Sequence, residues 1–342
     1  MIPIKNIYYM LSYAFTILKQ DGYEKLGKEE FEHIEDFMSS IMIKGLNMQL
    51  KRGLFRTYNV VDEDTVLPHG KINISNSIKR NLIIKHKLNC EYDEFSIDNK
   101  LNQIIKKALM LLIKMDISNA NKKELNKILI HFKDVKLLDN RNINYNVLFN
   151  KNNENYKLLI YISSLIITSS IQSNDSNGYN MPKIFDEQHL YVLFENFVRE
   201  YYKQNYSNVK VSKSKIKWFT ESYPVNLPNM ITDITLEYNN KVLIIDTKYY
   251  AKSMSTYYNK RTYNSANLYQ IFTYVKNKQS ADKNVDVNGM LLYAKTDEKT
   301  SPDDDYLMDG NTISVKSLDL NQDFIYIENQ LKNIINTYLI NK

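Results

Sequence analysis

Apolar positions in the first half of the chain recur with a helical period. Ile7, Met10, Leu11, Ala14 and Leu18 share one face, and Phe31, Ile34, Phe37, Met38 and Ile41 repeat the pattern, so each set predicts an amphipathic helix. From Arg52 to Lys87 the period loosens into alternating stretches around a Pro68-His69-Gly70 turn, which predicts a small β-element. Helical spacing returns over Asp98 to Lys114, where Leu101, Ile104, Ile105, Ala108, Leu109 and Leu112 line one face, and again over Tyr156 to Ile171. The segment "QSNDSNGYNMP", Gln172 to Pro182, then concentrates turn formers and reads as a domain boundary.

Beyond that boundary the pattern changes to an alternation of helices and strands. Leu190, Leu193, Phe194, Phe197, Val198 and Tyr201 form a helical stripe, "VKVSKSKIKWF", "ITDITLEY" and "KVLIIDTKYY" read as strands, and "NLYQIFTYVKNK" reads as a helix. Two further strands, "GMLLYAK" and "TISVKSL", precede a terminal helix from about Gln322 to Ile340. The expected fold is therefore α/β: a mainly helical N-terminal domain with a small β-element over residues 1–180, then a domain with a mixed sheet flanked by helices over 181–342.

Composition narrows the chemistry. The 342 residues, 43% of them hydrophobic, are enough for sizeable buried cores. Apolar runs such as Leu158 to Ile167 fall short of the roughly 18 to 20 residues of a membrane span, and the N-terminus lacks the features of a signal peptide, so a cytoplasmic location is expected. A single cysteine, Cys90, and five scattered histidines leave no cysteine-rich or histidine-rich metal pattern, so any metal would be held by oxygen. Gly-Lys pairs occur at Gly27-Lys28, with Gly22 upstream but Glu29 after it, and at Gly70-Lys71, with Thr65 upstream and Ile72 after it; a phosphate-binding loop needs the upstream glycine and also serine or threonine after the lysine. The chain is not itself a P-loop NTPase. Its net charge of +6 mildly favours an anionic partner. Lys71, Lys79, Arg80, Lys85 and Lys87, with no acid among them, mark either a phosphate-facing or partner-facing surface or a solvated face.

The chemistry is concentrated in a hairpin. Asn239-Asn240 separates two strand-like segments, and asparagine tolerates the positive φ of a tight turn. With a two-residue loop, Tyr238 pairs with Lys241, and five steps back and forward bring Asp233 opposite Asp246. Directly opposed residues on antiparallel strands share a face. Lys248, two beyond Asp246, points the same way. Two carboxylates and an ammonium on one patch would repel in part, and a divalent cation such as Mg²⁺ is one reason to tolerate them. Such a centre could hydrolyse a phosphodiester. The alternative is a surface ion pair at a strand end with Asp233 in an unrelated turn. Lys213, Lys215 and Lys217 alternate along one predicted strand and could lie along DNA phosphate, or could equally guard a solvated edge. Tyr8, Tyr9 and Tyr13 could stack bases, but at helical spacing they read as packing residues.

"TDITL" followed by "LIIDTKYY" resembles the PD-(D/E)xK nuclease superfamily, with Thr232 where the usual proline would stand. The order of "IPIKNIYYMLSYAF", "RGL", "CEYDEFSIDNKLNQIIKKAL", "TDITLEYNNKVLIIDTKYY" and "NLYQIFTYV" across residues 2–274 resembles the McrC family, the nuclease subunit of McrBC-type restriction systems. That resemblance implies Mg²⁺-dependent cleavage of double-stranded DNA in a complex that responds to modification such as 5-methylcytosine. It also implies a hexameric McrB-like AAA+ GTPase partner that binds the GTP, with residues 1–180 engaging it and stimulating hydrolysis. Asp233 and Asp246 match the family's metal-binding acids and Lys248 its catalytic lysine. Glu195 matches a helix acid near the metal, and Gln270 and Tyr274 match a Gln-x-x-x-Tyr pair that supports the site or contacts DNA. The competing expectations are a non-cleaving activator of an AAA+ partner with a vestigial nuclease fold, and a stand-alone nuclease of the DNA-repair type.

Overall fold

The computed structural model describes residues 2–15, 18, 26, 29, 31–138, 147–175, 187–220, 226–249, 254–257, 260–295 and 301–340. They fall into two units, one made of Met1–Glu30 with Phe185–Lys342 and the other of Phe31–Ile184. The division expected near residue 180 thus has a counterpart, but the N-terminal stretch lies on the other side of it. Helix α1 (Ile4–Ala14) packs with the C-terminal unit, and the helical unit is an insertion in its sequence. The expected boundary segment itself, Gln172 to Pro182, lies largely outside the described residues.

The inserted unit contains α2 (Ile34–Leu50), β1 (Thr57–Thr65), β2 (Lys71–Ile72), α3 (Ile74–Lys79), β3 (Leu88–Ser96), α4 (Lys100–Lys114), α5 (Asn119–Ile130) and α6 (Tyr156–Asp175). The apolar faces read from the sequence are the buried ones: Phe37, Met38 and Ile41 of α2 and Ile104, Ile105, Ala108 and Leu109 of α4 are at most 1% exposed. Asn99 and Ser118 start α4 and α5 by accepting from the backbone N–H three residues on, the usual N-cap arrangement. The small β-element is real but longer than expected, because its middle strand is β3, beyond Lys87; the order is β1-β3-β2, all antiparallel. Helix α3 interrupts it, capped by Asn73, whose side chain accepts from Asn76 N. In the basic stretch, Arg80 is paired with Asp64 at 3.2 Å and Asp62 at 3.9 Å, and the four lysines are exposed.

The other unit adds α7 (Glu187–Asn205), β4 (Lys210–Ser212), β5 (Lys215–Ile216), β6 (Met230–Ile231), β7 (Ile234–Tyr238), β8 (Lys241–Lys248), β9 (Met254–Tyr257), β10 (Lys260–Tyr263), α8 (Ser265–Ala281), β11 (Asp286–Lys295), β12 (Asp303–Met308), β13 (Asn311–Asp319) and α9 (Phe324–Ile335), the last running into a π-helical turn over Asn336–Ile340. Its main sheet has the order β12-β13-β11-β8-β7-β4. Strand β11 runs parallel to both β8 and β13, and the remaining pairs are antiparallel, so the sheet is mixed as expected. The central strands β8 and β11 are buried almost throughout, which is why they read as continuous apolar runs rather than alternating ones. Helix α8 covers one face, with Ile271, Tyr274 and Val275 against Val242, Ile244, Leu291 and Val315.

The tyrosines of α1 serve packing. Tyr9 stacks on Phe324 with centroids 4.4 Å apart, and Tyr13 lies 5.6 Å from Phe197 and 5.4 Å from Tyr201. The buried Asn6 amide donates at 2.8 Å to the backbone oxygens of both Leu320 and Gln322, which ties the first helix to the end of the sheet. The long strand expected over Val209 to Phe219 is corrected: it breaks into β4, in the main sheet, and β5, which pairs with β6 in a separate two-stranded sheet. The break falls at Lys213 and Ser214, because Ser214 exchanges hydrogen bonds with Thr232: its N–H donates to Thr232 Oγ1 at 2.9 Å, and its carbonyl accepts from Thr232 N at 3.0 Å.

Gly289 is where β11 passes closest to α8. A Cβ there would lie 2.7 Å from Val275 Cγ2, 2.9 Å from Ile271 Cγ1 and 3.0 Å from Ile313 Cδ1. Gly289→Ala should therefore lower stability by about 1 to 3 kcal/mol through overpacking. Urea unfolding monitored by circular dichroism checks this, and an unchanged midpoint would mean that α8 shifts freely.

Candidate functional site

The site is built by the β7–β8 hairpin. Asn239 adopts φ +52°, the left-handed conformation that a two-residue turn requires, and the ladder runs Tyr238↔Lys241, Glu237↔Val242, Leu236↔Leu243, Thr235↔Ile244, Ile234↔Ile245. This is the register expected from the sequence. One step further would set Asp233 opposite Asp246, but the ladder ends at Ile234, and Asp233 lies just outside it. Along β8, Val242 and Ile244 belong to the core under α8, and Asp246 and Lys248 continue that alternation. The apolar strand thus carries its two charged residues into the interior, where Asp246 is 2% and Lys248 is 7% exposed.

Burying a carboxylate disfavours its charged form. Burial is the main reason that the Asp246 pKa is pushed up to about 6; Lys248 opposes the shift, while the nearby charges of Asp233 and Glu195 add to it. Lys248 Nζ stands 2.6 Å from Asp246 Oδ2. Oδ2 is fully buried and receives no well-directed hydrogen bond among the described residues, so the contact with Lys248 is an ion pair.

Asp233 is held differently. Its Oδ2 accepts from Thr247 N at 2.9 Å, from Thr247 Oγ1 at 3.0 Å and from Tyr191 OH at 3.3 Å. The carboxylate takes the place of a backbone acceptor at the first position beyond the ladder. The strict pairing with Asp246 across two strands is modified accordingly, because once β7 has ended, the Asp233 side chain turns to the residue between Asp246 and Lys248. The adjoining Thr232 is 1% exposed, and its hydroxyl accepts from Ser214 N and lies 2.8 Å from Thr235 Oγ1. A proline at position 232 could not donate the N–H that Ser214 O receives.

The supporting residues divide. Lys248 Nζ donates to Gln270 Oε1 at 3.4 Å, and Gln270 Nε2 donates to Tyr274 OH at 3.0 Å. The pair one helical turn apart on α8 therefore reaches the lysine, and the buried Tyr274 ring also belongs to the core. Glu195 on α7 is 7% exposed and close enough to influence Asp246, but its carboxylate is engaged by Lys213 at 2.6 Å and Arg199 at 3.0 Å. Lys213, Lys215 and Lys217 do not form one strand stripe. Lys213 sits in the break between β4 and β5 and is ion-paired, whereas Lys215 and Lys217 are exposed. Sequence reasoning missed Tyr191 and Thr247. Tyr191 could have been noticed as the residue four before Glu195, hence on the same helix face.

Among the described residues, no group of three or more histidine, cysteine, aspartate or glutamate side chains is arranged to hold a metal ion. The donors present are the Asp233 and Asp246 carboxylates, with a buried Asp246 oxygen lacking a directed partner. Two carboxylates of this kind suit a hard divalent cation that keeps several of its waters. No helix among the described residues is long and apolar enough to cross a membrane.

Fold and side chains together define a mixed α/β protein with an aspartate–lysine centre at the end of a central strand. The family model described as McrBC 5-methylcytosine restriction system component matches residues 5–294. The chain belongs to that family. It is 27% identical over 348 residues to the type IV methyl-directed restriction enzyme EcoKMcrBC of Escherichia coli (strain K12), covering 99% of this chain and 98% of that protein. It is also similar to a chain in a refined half-complex from a tetradecameric assembly of Thermococcus gammatolerans McrB AAA+ hexamers with bound McrC, at 18% identity and a TM-score of 0.49, over 98% of this chain and 76% of that one. A second likeness, to the Thermococcus gammatolerans McrBC complex, has 18% identity and a TM-score of 0.41 over 59% of this chain and 58% of the other.

Thr232→Val keeps the shape of the residue before Asp233 but leaves Ser214 N–H without its acceptor. The expected cost is about 1 to 3 kcal/mol, measured by chemical denaturation. A neutral result would mean that Thr232 does not hold this strand end.

Proposed function

We propose that this chain is the DNA-cleaving subunit of a GTP-dependent restriction complex directed at DNA carrying 5-methylcytosine. In this reading the C-terminal unit is a PD-(D/E)xK-type nuclease. The partner is an McrB-like hexameric AAA+ GTPase, which binds the GTP and whose hydrolysis this chain stimulates. The observation that carries the reading is the buried Asp246, 2% exposed and 2.6 Å from Lys248, beside Asp233 on the neighbouring strand end. Membership of the restriction-system family and the absence of a P-loop in this sequence support a division of labour in which the nucleotide belongs to another chain.

Asp233 and Asp246 are the residues that would hold Mg²⁺, which when bound neutralises charge on a phosphodiester and lowers the pKa of a coordinated water. Lys248 places an ammonium beside the reacting phosphate, where it stabilises developing negative charge or orients the attacking water. Gln270 Oε1 accepts from that ammonium, and Tyr274 OH accepts from the other end of the same amide. The amide is thus fixed with its oxygen toward the lysine. Lys215 and Lys217, exposed beside the site's strands, are the candidates for sequence-independent phosphate contact.

Partner engagement is supported by the apolar surface of the inserted unit. Tyr58, Val60, Leu67, Ile83 and Ile84 are 55% to 80% exposed, on and around the small sheet and α3. Large apolar side chains left in solvent are candidates for burial against a partner.

Two outcomes are expected. Asp246→Asn and Lys248→Ala should each reduce cleavage of methylated plasmid in the presence of Mg²⁺, the partner and GTP by about 10²-fold or more, while stimulated GTP hydrolysis is kept. Retained cleavage would sink the assigned chemistry, and cleavage by the wild-type chain without partner or GTP would favour a stand-alone nuclease. Ile84→Glu combined with Tyr58→Glu should abolish GTPase stimulation without moving the melting temperature of the isolated chain. Undiminished stimulation would exclude this surface as the docking face.

A further inference from the structure

We infer that Tyr191 is a positioning residue for Asp233: its hydroxyl, with the backbone N–H and hydroxyl of Thr247, holds Oδ2 of that carboxylate so that Oδ1 is presented to a divalent cation. The inference rests on the proposed metal-dependent site and concerns how that site is kept in shape. Asp233 is the acid with least backbone support. It stands outside the β7–β8 ladder, so its orientation depends on what its side chain touches. Three donors converge on a single oxygen, Thr247 N at 2.9 Å, Thr247 Oγ1 at 3.0 Å and Tyr191 OH at 3.3 Å. Oδ1 accepts no hydrogen bond among the described residues. Three directed bonds to one oxygen fix both the rotamer and the plane of a carboxylate, whereas a single flexible cation would not.

The contribution of α7 is thereby reassigned. From the sequence, the helix residue expected beside the metal was Glu195. Glu195 does lie close enough to act on Asp246, but Lys213 and Arg199 occupy its carboxylate. Tyr191, one turn earlier on the same helix, reaches Asp233 instead. Burial raises the pKa of the Tyr191 phenol, and the charges of Asp233, Glu195 and Asp246 raise it further. A phenolic hydroxyl at this distance is a donor to the carboxylate oxygen. The other two donors belong to β8 itself, so among the described residues Tyr191 is the donor that fastens Asp233 to a separate element.

The test compares wild type, Tyr191→Phe and Tyr191→Phe with Thr247→Val, all as full-length chains. Mn²⁺ binding is measured directly by isothermal titration calorimetry. Cleavage of methylated plasmid by the complex assembled with partner and GTP is measured across a Mg²⁺ series, and thermal denaturation is followed without metal. The expected result for Tyr191→Phe is Mn²⁺ affinity weakened about 10-fold to 100-fold. The half-saturating Mg²⁺ concentration should rise in parallel, with cleavage restored at high Mg²⁺, and the double variant should shift further in the same direction. A purely structural role would instead lower the melting temperature and the maximal rate while leaving metal affinity and half-saturation unchanged, and that result would overturn the inference. Variants identical to wild type in all three measurements would overturn it as well. If wild type itself neither binds Mn²⁺ nor cleaves, the reading of the site as a metal-dependent nuclease fails, which the wild-type arm reveals independently of the variants.

Discussion

The structure of the C-terminal unit is organised around one costly constraint: an aspartate and a lysine are carried into the interior at the end of an otherwise apolar central strand. A buried carboxylate is disfavoured by several kcal/mol unless it is paired, and Asp246 answers this with Lys248 at 2.6 Å and a pKa raised to about 6. The neighbouring elements follow from that requirement. Strand β8 lies between β7 and β11 so that its backbone is satisfied on both edges. Close approach of α8 over Gly289 brings Gln270 to the lysine, and the α8 core excludes water from the apolar half of the same face.

A second consequence concerns the N-terminal helix. Helix α1 belongs to the C-terminal unit, packing its tyrosines on Phe197, Tyr201 and Phe324. The polypeptide therefore starts in this unit, leaves it for residues 31–184 and returns. On its return it forms α7, which supplies Phe197 and Tyr201 to the aromatic packing around α1 and, on the same helix, Tyr191 and Glu195 to the site. The helix that reaches the candidate site is thus the first described element on the return of the chain to this unit.

Much of the candidate site was legible in the sequence because two short-range rules determine it. A two-residue Asn-Asn turn fixes a hairpin register, and a period of two fixes which residues share a face; together they bring Asp233, Asp246 and Lys248 to one strand end. Helical spacing did the same for Gln270 and Tyr274. What escaped depended on side chains meeting across long separations. Ser214 and Thr232 exchange hydrogen bonds and break the strand that held the Lys213, Lys215 and Lys217 stripe. Strand β12, "DDDYLM", shows no strand-like alternation because it is an exposed edge whose acids are partly neutralised by Lys316. The placement of α1 turns on aromatic contacts with residues nearly two hundred positions away or more, which no local pattern encodes.

The distribution of charge explains why Asp233 is fastened by neutral donors. Each of the other two carboxylates at the site has a cation of its own: Lys248 stands against Asp246, and Lys213 and Arg199 stand against Glu195. Asp233 makes no ion pair among the described residues and is held by an amide and two hydroxyls. A lysine in place of Tyr191 would hold the carboxylate as firmly, but it would cancel the negative charge and compete with any incoming cation. Hydroxyl and amide donors fix the geometry without neutralising the group. Asp233 is therefore the carboxylate that is ordered without an ion pair among the described residues beside the buried Asp246–Lys248 pair, which is the arrangement that the proposed divalent cation would require.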